Sequence, residues 1–315
     1  ADAYDLFVMN IVGAILSVLY ADAGDTARAA IASAAIAGAI FGQLTFGYVA
    51  DVLGRRKSFI ATLLLIICGT CLSAVATDVG VGAGSGKDGK AVGPAVSMFT
   101  WLVAARFVLG VGIGGEYPVA ATVSSEHSPP KEKARMVSAI FSMQGVGMLL
   151  APCVVMGLLS CFAEGGEGSG GDSNLEHLDT VWRLALLFGA VPAIFLLYFR
   201  CQMEETPSFK AAQAKKAQGG RAVGSEVKND KIAIISRYGK ELVGTAGTWF
   251  LMDITFYAHG LFSASVLKNS VDSGVTMTHH EKLMVMCVLT VYLALVALPG
   301  YWLSVLTTDW LGRRQ

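Results

Sequence analysis

Long apolar stretches constrain the fold of this chain more than any other feature of its sequence. A helix that crosses a bilayer needs about 20 consecutive, mostly apolar residues, and eight stretches of the chain approach that length. We predict membrane spans at residues 4–20, 29–50, 58–77, 97–120, 136–161, 181–200, 241–264 and 283–307. Lipid admits only helices or closed barrels, and these stretches lack the alternation of barrel strands. The sequence therefore predicts an all-α, multi-pass protein that is integral to the lipid bilayer.

The amount and placement of charge agree with this class. Only 15% of the residues are charged and 54% are hydrophobic, whereas soluble chains carry about 25% charge. The net charge is +0, so nothing indicates a nucleic-acid partner. Basic residues gather in alternate loops, at 55–57, at 131–135 and at 200–240, where there are nine Lys or Arg. Because basic loops stay on the cytoplasmic side, we predict that these loops and the N-terminus are cytoplasmic.

A short motif recurs in two parts of the chain. Asp51-Val-Leu-Gly-Arg-Arg follows the second span, and Asp309-Trp-Leu-Gly-Arg-Arg follows the eighth. Repeated halves are typical of secondary transporters. We predict a six-span bundle at 1–200, a cytoplasmic linker at 201–240 and the first two spans of a second bundle at 241–315. Symmetry calls for four more spans, so we expect the chain to be part of a twelve-span protein.

The charged residues of this repeat are candidates for a cytoplasmic gate. An acid at a helix end that faces basic residues can form an ion pair that opens and closes. The alternative is that the arginines simply anchor the span at the cytoplasmic surface, which leaves the recurring acid unexplained. We predict gate residues Asp51, Arg55 and Arg56 in the first copy, and Asp309 and Arg313 in the second.

Polar side chains inside two predicted spans indicate a binding site. Trp249, Asp253 and Tyr257 are spaced four apart, so they share one face of a helix. They lie around the middle of span seven, whereas interfacial aromatic belts lie at span ends. Gln144 lies within span five, where it either belongs to the same site or makes a hydrogen bond between helices.

Span four contains two ionisable residues, Arg106 and Glu116. Such groups persist inside membranes mainly where they have a function. Ten residues separate them, about 15 Å along a helix, so they do not pair directly. Glu116 is either a carboxylate at a helix end, with Pro118 ending the helix, or a group that takes up a proton within the low-dielectric interior. Asp2 and Asp5 begin span one and lie inside the membrane only if that helix begins earlier.

Three other patterns have simpler explanations. Gly110, Gly112 and Gly115 spell a dinucleotide fingerprint, but they lie inside an apolar span instead of between a strand and a helix. The four-residue spacing of Gly110 and Gly114, repeated at Gly38 and Gly42, favours close helix packing. Cys68 with Cys71 and His279 with His280 lack further ligands nearby. We predict no cofactor and no metal.

Five segments resemble a known family. Asp51–Arg56 resembles the loop signature of the major facilitator superfamily. The segment GGEYPVAATVSSE, at 114–126, resembles the signature of the phosphate:proton symporter family, and WFLMDITFY and ALPGYWLSV are similar to that family's spans seven and eight. Residues 204–207, EETP, resemble the end of span six in related porters. The resemblance covers nearly the whole chain.

The resemblance implies a major facilitator fold and a function, proton-coupled symport of inorganic phosphate at the plasma membrane. It implies that Asp2 is the span-one carboxylate near Arg106. Glu116 stands where the family usually has Asp, which keeps the acid, lengthens its reach and leaves room for another anion, such as a glycerophosphodiester. The phosphate site implied by the resemblance comprises Tyr117, Gln144, Trp249, Asp253 and Tyr257.

We hypothesise that protonation of Glu116, Asp2 or Asp253 permits phosphate to bind between the two halves. A carboxyl–phosphate hydrogen bond then replaces charge repulsion, and the halves rock about the site.

Two other classes of membrane protein stay open. A membrane-embedded enzyme needs a nucleophile–base or metal cluster, which the sequence does not suggest. A non-transporting phosphate sensor on the same fold is expected to have a long cytoplasmic extension.

Overall fold

The computed structural model describes residues 1–20, 24–77, 97–129, 132–163, 173–217, 223–271 and 278–311. Within these ranges the chain forms α-helices and no strand. The helices are α1 (Asp2–Leu19), α2 (Gly24–Leu53), α3 (Arg55–Ala74), α4 (Met98–His127), α5 (Lys133–Ala163), α6 (Ser173–Phe188), α7 (Ala190–Gln202), α8 (Pro207–Ala217), α9 (Val223–Val271) and α10 (His279–Leu311). The predicted all-α fold is confirmed.

Seven helical segments of the described chain are long and apolar enough to cross a membrane. They match the predicted spans one to six and eight, and the sixth is assembled from α6 and α7 with a break at Gly189. The predicted span 241–264 lies inside α9 and is helical, but it is not among the seven. The polar residues of this segment, Asp253 among them, lower its mean hydropathy. Helix α9 also bends at Tyr238 (φ −117°, ψ 16°).

Pro118 does not end the fourth span, which corrects one of the two explanations considered for Glu116. Helix α4 runs unbroken from Met98 to His127 with Pro118 inside it. A proline removes one backbone hydrogen bond, here the one to the carbonyl of Gly114. Membrane helices tolerate this loss because neighbouring groups compensate for it. Glu116 therefore lies within a helix and not at its end.

Glycines let α2 and α4 pack backbone to backbone. A Cβ atom at Gly110 or Gly114 would collide with the backbone of Ala35 or Ala39 in α2. In return, a Cβ at Gly38 or Gly42 would collide with the backbone of α4. This reciprocal arrangement is the small-residue packing of membrane helices, and it confirms the packing role predicted from the glycine spacing.

The turn between α2 and α3 depends on one glycine. Gly54 has φ +101°, a backbone conformation that other residues rarely adopt. A side chain here would also strike the carboxylate of Glu205 and the ring of Phe209. The turn therefore lets α8 and the segment before it approach the start of α3.

The most extensive contacts of the six predicted N-terminal spans with α9 and α10 are made by two helix pairs. Helix α1 contacts α9, where Asn10 Nδ2 donates to Ser263 Oγ at 2.6 Å. Helix α5 packs along α10, where Gly145 lies against the ring of Tyr301. Large apolar side chains such as those of Leu44 and Val296 are exposed on the outer faces, as expected for surfaces that contact lipid. The domain boundaries stay a prediction.

Candidate functional site

All five residues of the predicted substrate site line a single cavity. The cavity has a volume of about 850 Å³ and lies between α4, α5, α9 and α10, with a contribution from α2. Tyr117 comes from α4, Gln144 from α5, and Trp249, Asp253 and Tyr257 from one face of α9. The four-residue spacing places the last three together because the α-helix repeats every 3.6 residues. These side chains are far apart in sequence, and the fold brings them to one place.

Aromatic contacts connect the two sides of this cavity. The ring of Tyr117 stacks on that of Phe141, with centroids 6.0 Å apart and planes 5° apart. Phe141 in turn meets Trp249 edge-on, at 6.0 Å and 66°. The hydroxyl groups of Tyr117 and Tyr257 lie 3.5 Å apart. The cavity is therefore lined by hydroxyl, amide and indole groups, which can donate hydrogen bonds.

Several polar residues line the cavity that the sequence prediction missed. Ser138 and Ser142 of α5 are four residues apart, a spacing that could have identified this face of the helix. Tyr301 of α10 lies within the segment ALPGYWLSV, whose resemblance pointed to span eight but not to a site residue. The lining residues that were not predicted include Gln43, Ser138, Ser142, Tyr301 and Ser304.

A second cavity of about 490 Å³ adjoins the first. Tyr117, Phe141 and Gln144 line both cavities. The two acids Asp2 and Glu116, predicted to take part in proton coupling, line only the second. The structure therefore places them beside the first cavity and not within it.

Glu116 pairs with Arg200, a residue that the sequence prediction did not single out. Arg200 Nη1 donates to Glu116 Oε2 at 3.1 Å, and Nη2 donates to the other carboxylate oxygen. The two side chains are only 15% and 12% exposed. The guanidinium of Arg200 also lies 4.0 Å from the centroid of the Phe59 ring. The expectation that Glu116 does not pair with Arg106 agrees with this geometry.

Arg106 contacts the first helix, but its partner differs from the one expected. Arg106 Nη1 donates to the backbone carbonyl of Asp5 at 2.9 Å, and both residues are 1% exposed. The expected neighbour Asp2 lies one helical turn earlier, beside Glu116. The register of α1 against α4 decides this, and sequence spacing within α1 could not. Within the described chain, Asp5 Oδ2 and Arg106 Nε and Nη2 have no hydrogen-bond partner.

The first copy of the repeated motif forms an ion cluster, which we call the gate cluster: Asp51, Arg55, Arg56, Glu126 and Glu205. Arg55 pairs with Asp51 at 2.9 Å and with Glu126 at 3.3 Å. Glu205 accepts from the backbone N–H groups of Arg55, at 2.9 Å, and Arg56, at 3.3 Å. The side chain of Arg56 donates to the carbonyl of Cys201.

The second copy of the motif is only partly visible. Asp309 is exposed near the end of α10, and Arg313 lies outside the described residues. The sequence prediction missed Glu126 and Glu205. Both residues lie in segments that resemble the family's motifs, at the end of GGEYPVAATVSSE and within EETP. The resemblance of these segments could therefore have identified them.

Metal-ligating residues do not gather in the described part of the chain. Within it, no group of three or more His, Cys, Asp or Glu side chains is placed to hold a metal ion. Cys68 and Cys71 are free thiols. His280 lies against the carbonyl of Leu159, 3.3 Å from its Nε2.

Comparison with known proteins identifies the family. The model of the family described as "Sugar (and other) transporter" matches residues 2–315, so the chain belongs to this family. A protein named "Probable inorganic phosphate transporter 1-6" from Arabidopsis thaliana is 32% identical over 355 residues, which cover 100% of this chain and 66% of that protein. "Inorganic phosphate transporter 1-1" from the same plant is 32% identical over 351 residues, covering 99% and 64%. The chain thus spans less than two thirds of each relative's length.

A solved structure supports the same fold. The partially occluded inward-open xylose transporter XylE from E. coli superposes with a TM-score of 0.69 and 18% identity, over 99% of this chain and 71% of that one. XylE is described as a major facilitator superfamily proton:xylose symporter. At this identity the likeness shows the fold alone. The predicted major facilitator fold is confirmed, and the family is one of transporters, which removes the membrane-embedded enzyme from consideration.

Proposed function

We propose that this protein is a proton-coupled symporter of inorganic phosphate that works by alternating access. The observation that carries the proposal is the cavity in which a single carboxylate, Asp253, stands among neutral hydrogen-bond donors. The names of the relatives, which are inorganic phosphate transporters, support the same substrate.

The chemistry of this cavity suits an oxyanion that carries protons. None of its described lining residues is Lys or Arg, so binding depends on hydrogen bonds and not on a paired cation. Monobasic phosphate can donate a hydrogen bond to Asp253 while Tyr117 and Trp249 donate to its other oxygens. Sulfate has no proton to donate at neutral pH, so it would leave the carboxylate facing an anion. Asp253 thereby selects for a protonated substrate.

Three acids beside or near the cavity are candidates to carry the coupled proton. Glu116 already has a cationic partner in Arg200, so we assign the proton to Asp2 or Asp5, with Asp253 taking part when substrate binds. Asp5 is fully buried and has an oxygen atom with no hydrogen-bond partner in the described chain. Burying a charged group without full pairing is unfavourable, which supports proton uptake at this site.

The charge of the loops supports an orientation in which the N-terminus faces the cytoplasm. The gate cluster contains basic residues of the 55–57 loop, and by the positive-inside rule it faces the cytoplasm. The N-terminus and the linker at 201–240 then lie on the same side, in a protein that we place in the plasma membrane. The gate cluster opens and closes the cytoplasmic path as the two halves rock around the cavity.

Phosphate uptake into liposomes tests this function. The complete protein is reconstituted, and uptake of radiolabelled phosphate is followed with and without an inward proton gradient. We expect uptake to depend on the gradient. Competition by unlabelled sulfate, xylose and glycerophosphodiesters identifies the substrate, since the cavity of about 850 Å³ is larger than a phosphate ion requires. Absence of uptake would favour the sensor, and stronger competition by a glycerophosphodiester would favour that anion.

Asp253→Asn tests the assignment of the carboxylate. An amide cannot exchange a proton with phosphate, so we expect gradient-driven uptake to fall by at least about 100-fold, the size of effect seen when a positioned acid or base is lost. Glu241→Gln is the matched control, because Glu241 lies exposed at an earlier position of the same helix. Normal pH-driven uptake by the Asp253→Asn protein would refute the mechanism.

A further inference from the structure

Arg200 lies between the substrate cavity and the gate cluster, and it touches neither the cavity nor the gate cations directly. It stands in the last turn of α7 and is not among the residues that line either cavity. Its guanidinium holds both oxygens of Glu116 on α4. The same group donates to the carbonyl of Phe59 on α3 at 3.4 Å and lies over the ring of that residue. Arg200 thus joins three helices.

One side of this junction leads to the substrate cavity. Glu116 is followed by Tyr117, which lines both cavities and lies 3.5 Å, hydroxyl to hydroxyl, from Tyr257. Because the two residues are consecutive in a helix, a shift of Tyr117 moves Glu116 with it. A bidentate arginine–carboxylate pair has a planar, directional geometry, so the shift reaches Arg200.

The other side leads to the gate cluster. Cys201, next to Arg200, offers its carbonyl to the side chain of Arg56. A few residues later, Glu205 binds the backbone N–H groups of Arg55 and Arg56. The end of α7 and the start of α3 are therefore fastened together. A movement of Arg200 changes the position of the groups that hold the gate arginines.

We propose that Arg200 is a positioning residue that couples the substrate cavity to the gate cluster through Glu116 on one side and Cys201 on the other. Substrate bound against Tyr117 displaces α4, and the Glu116–Arg200 pair transmits the displacement to the end of α7. The contact between Arg56 and the Cys201 carbonyl then changes, and the gate cluster rearranges. The inference rests on the proposed function for the identity of the substrate. Variants along this path should therefore change the coupling between the two sites.

Transport kinetics provide the first measurement, in the complete protein reconstituted in liposomes. We expect Arg200→Gln to lower kcat for phosphate uptake about tenfold while KM changes less than about threefold, because the residue does not touch substrate. Arg200→Lys keeps the charge but not the bidentate geometry, so its kcat should lie between that of the wild type and that of Arg200→Gln.

The effect of Glu116→Gln on kcat should match that of Arg200→Gln, and the double variant should have a kcat no lower than that of either single variant. Glu204→Gln and Lys210→Gln, which break an exposed pair on the same side, are controls.

Thiol labelling provides a second measurement that needs no substrate. A variant that keeps only Cys201, an exposed thiol, is reacted with a membrane-impermeant maleimide. We expect Arg200→Gln to raise the labelling rate several-fold, because the fastening of this segment to Arg56 loosens, and Lys210→Gln to leave it unchanged. The inference would be overturned if Arg200→Gln changed neither the labelling rate nor kcat. It would also be overturned if Arg200→Gln lowered kcat and raised KM by the same factor, and the effects of Arg200→Gln and Glu116→Gln on kcat were additive in the double variant. If the wild-type protein takes up no phosphate, the proposed function fails, and the labelling rates alone decide the inference.

Discussion

Glu205 places one carboxylate at the start of helix α3. Its oxygens accept the backbone N–H groups of Arg55 and Arg56, at 2.9 and 3.3 Å. The first N–H groups of a helix have no partner within the helix, and an anion there is favoured by about 0.3–1 kcal/mol, or up to about 2 kcal/mol when partly buried. The contact therefore contributes to stability as well as to the position of the gate cluster.

Replacing Glu205 with Gln should destabilise the protein, because the neutral amide presents no charge to the helix and only one acceptor oxygen. We expect a loss of about 1–2 kcal/mol, measured as a lower unfolding temperature of the purified protein in detergent. Glu204→Gln is the matched control, since Glu204 is 85% exposed and paired only with Lys210. Equal unfolding temperatures for the two variants would contradict the assignment.

The neighbouring ion pair of Glu204 and Lys210 shows how exposure to solvent reduces the stability that an ion pair contributes. Lys210 donates to Glu204 at 2.7 Å, and this hydrogen bond lowers the pKa of the Glu204 carboxyl. A lowered pKa adds stability that is present at neutral pH and is lost as the pH falls through the folded-state pKa. Both side chains are largely exposed, so water and salt screen the pair. The pair therefore suits use as a control.

At the scale of elements, α2 and α4 form the most extensive helix pairing in the described chain. Gly110 and Gly114 of α4 meet the backbone of α2 at Ala35 and Ala39. Lipid provides little hydrophobic drive for helices to associate, so close backbone packing takes its place. The glycine spacing predicted this role, whereas only the three-dimensional structure identified α2 as the partner helix.

Gly114→Ala should weaken this pairing. The added methyl would collide with the backbone of Ala39, and overpacking of this kind costs about 1–3 kcal/mol. Gly157→Ala in α5 is the matched control, because its Cβ meets nothing within 4 Å and alanine favours a helix by about 1 kcal/mol over glycine. Unfolding temperatures in detergent should fall for the first variant and not for the second. A Gly114→Ala protein as stable as wild type would show that the helices separate readily.

At the scale of the whole molecule, the first seven helices meet α9 and α10 mainly along two seams, α1–α9 and α5–α10. On the α1–α9 seam, Asn10 donates to Ser263 at 2.6 Å, and Phe7 meets Phe256 edge-on at 5.7 Å and 87°. Ser263 lies farther along α9 than the site residues Trp249 and Asp253, away from the linker. This seam therefore lies farther from the linker than the cavity residues of α9 do.

Cross-linking this seam should stop transport. Alternating access requires the two halves to separate on each side in turn. Asn10→Cys and Ser263→Cys are introduced together after the native cysteines are replaced by serine, and a short bifunctional thiosulfonate joins them. We expect phosphate uptake to disappear after cross-linking and to return with a reductant, whereas either single-cysteine protein stays active. Full uptake by the cross-linked protein would mean that the halves do not part at this contact.

Much of the candidate site could be predicted from local sequence, and the remainder depended on packing between helices. Trp249, Asp253 and Tyr257 share a face by helical periodicity alone, the polarity of Gln144 within a span marked it as a candidate, and resemblance added Tyr117. The partners of charged residues were not accessible in this way. Arg200 was counted only among the nine basic residues at 200–240. The contact of Arg106 with Asp5, not Asp2, depends on how α1 is aligned against α4.

The sequence by itself determined the membrane class, the helical fold, the approximate positions of seven spans and the faces that carry polar residues, because these follow from the length and periodicity of apolar runs. The tertiary structure alone decided which polar faces meet, since helix order and axial alignment arise from packing over the whole chain. It joined five residues from α4, α5 and α9 into one cavity and gave Glu116 its partner Arg200. A buried charge must find its partner in space, and sequence distance does not limit that choice.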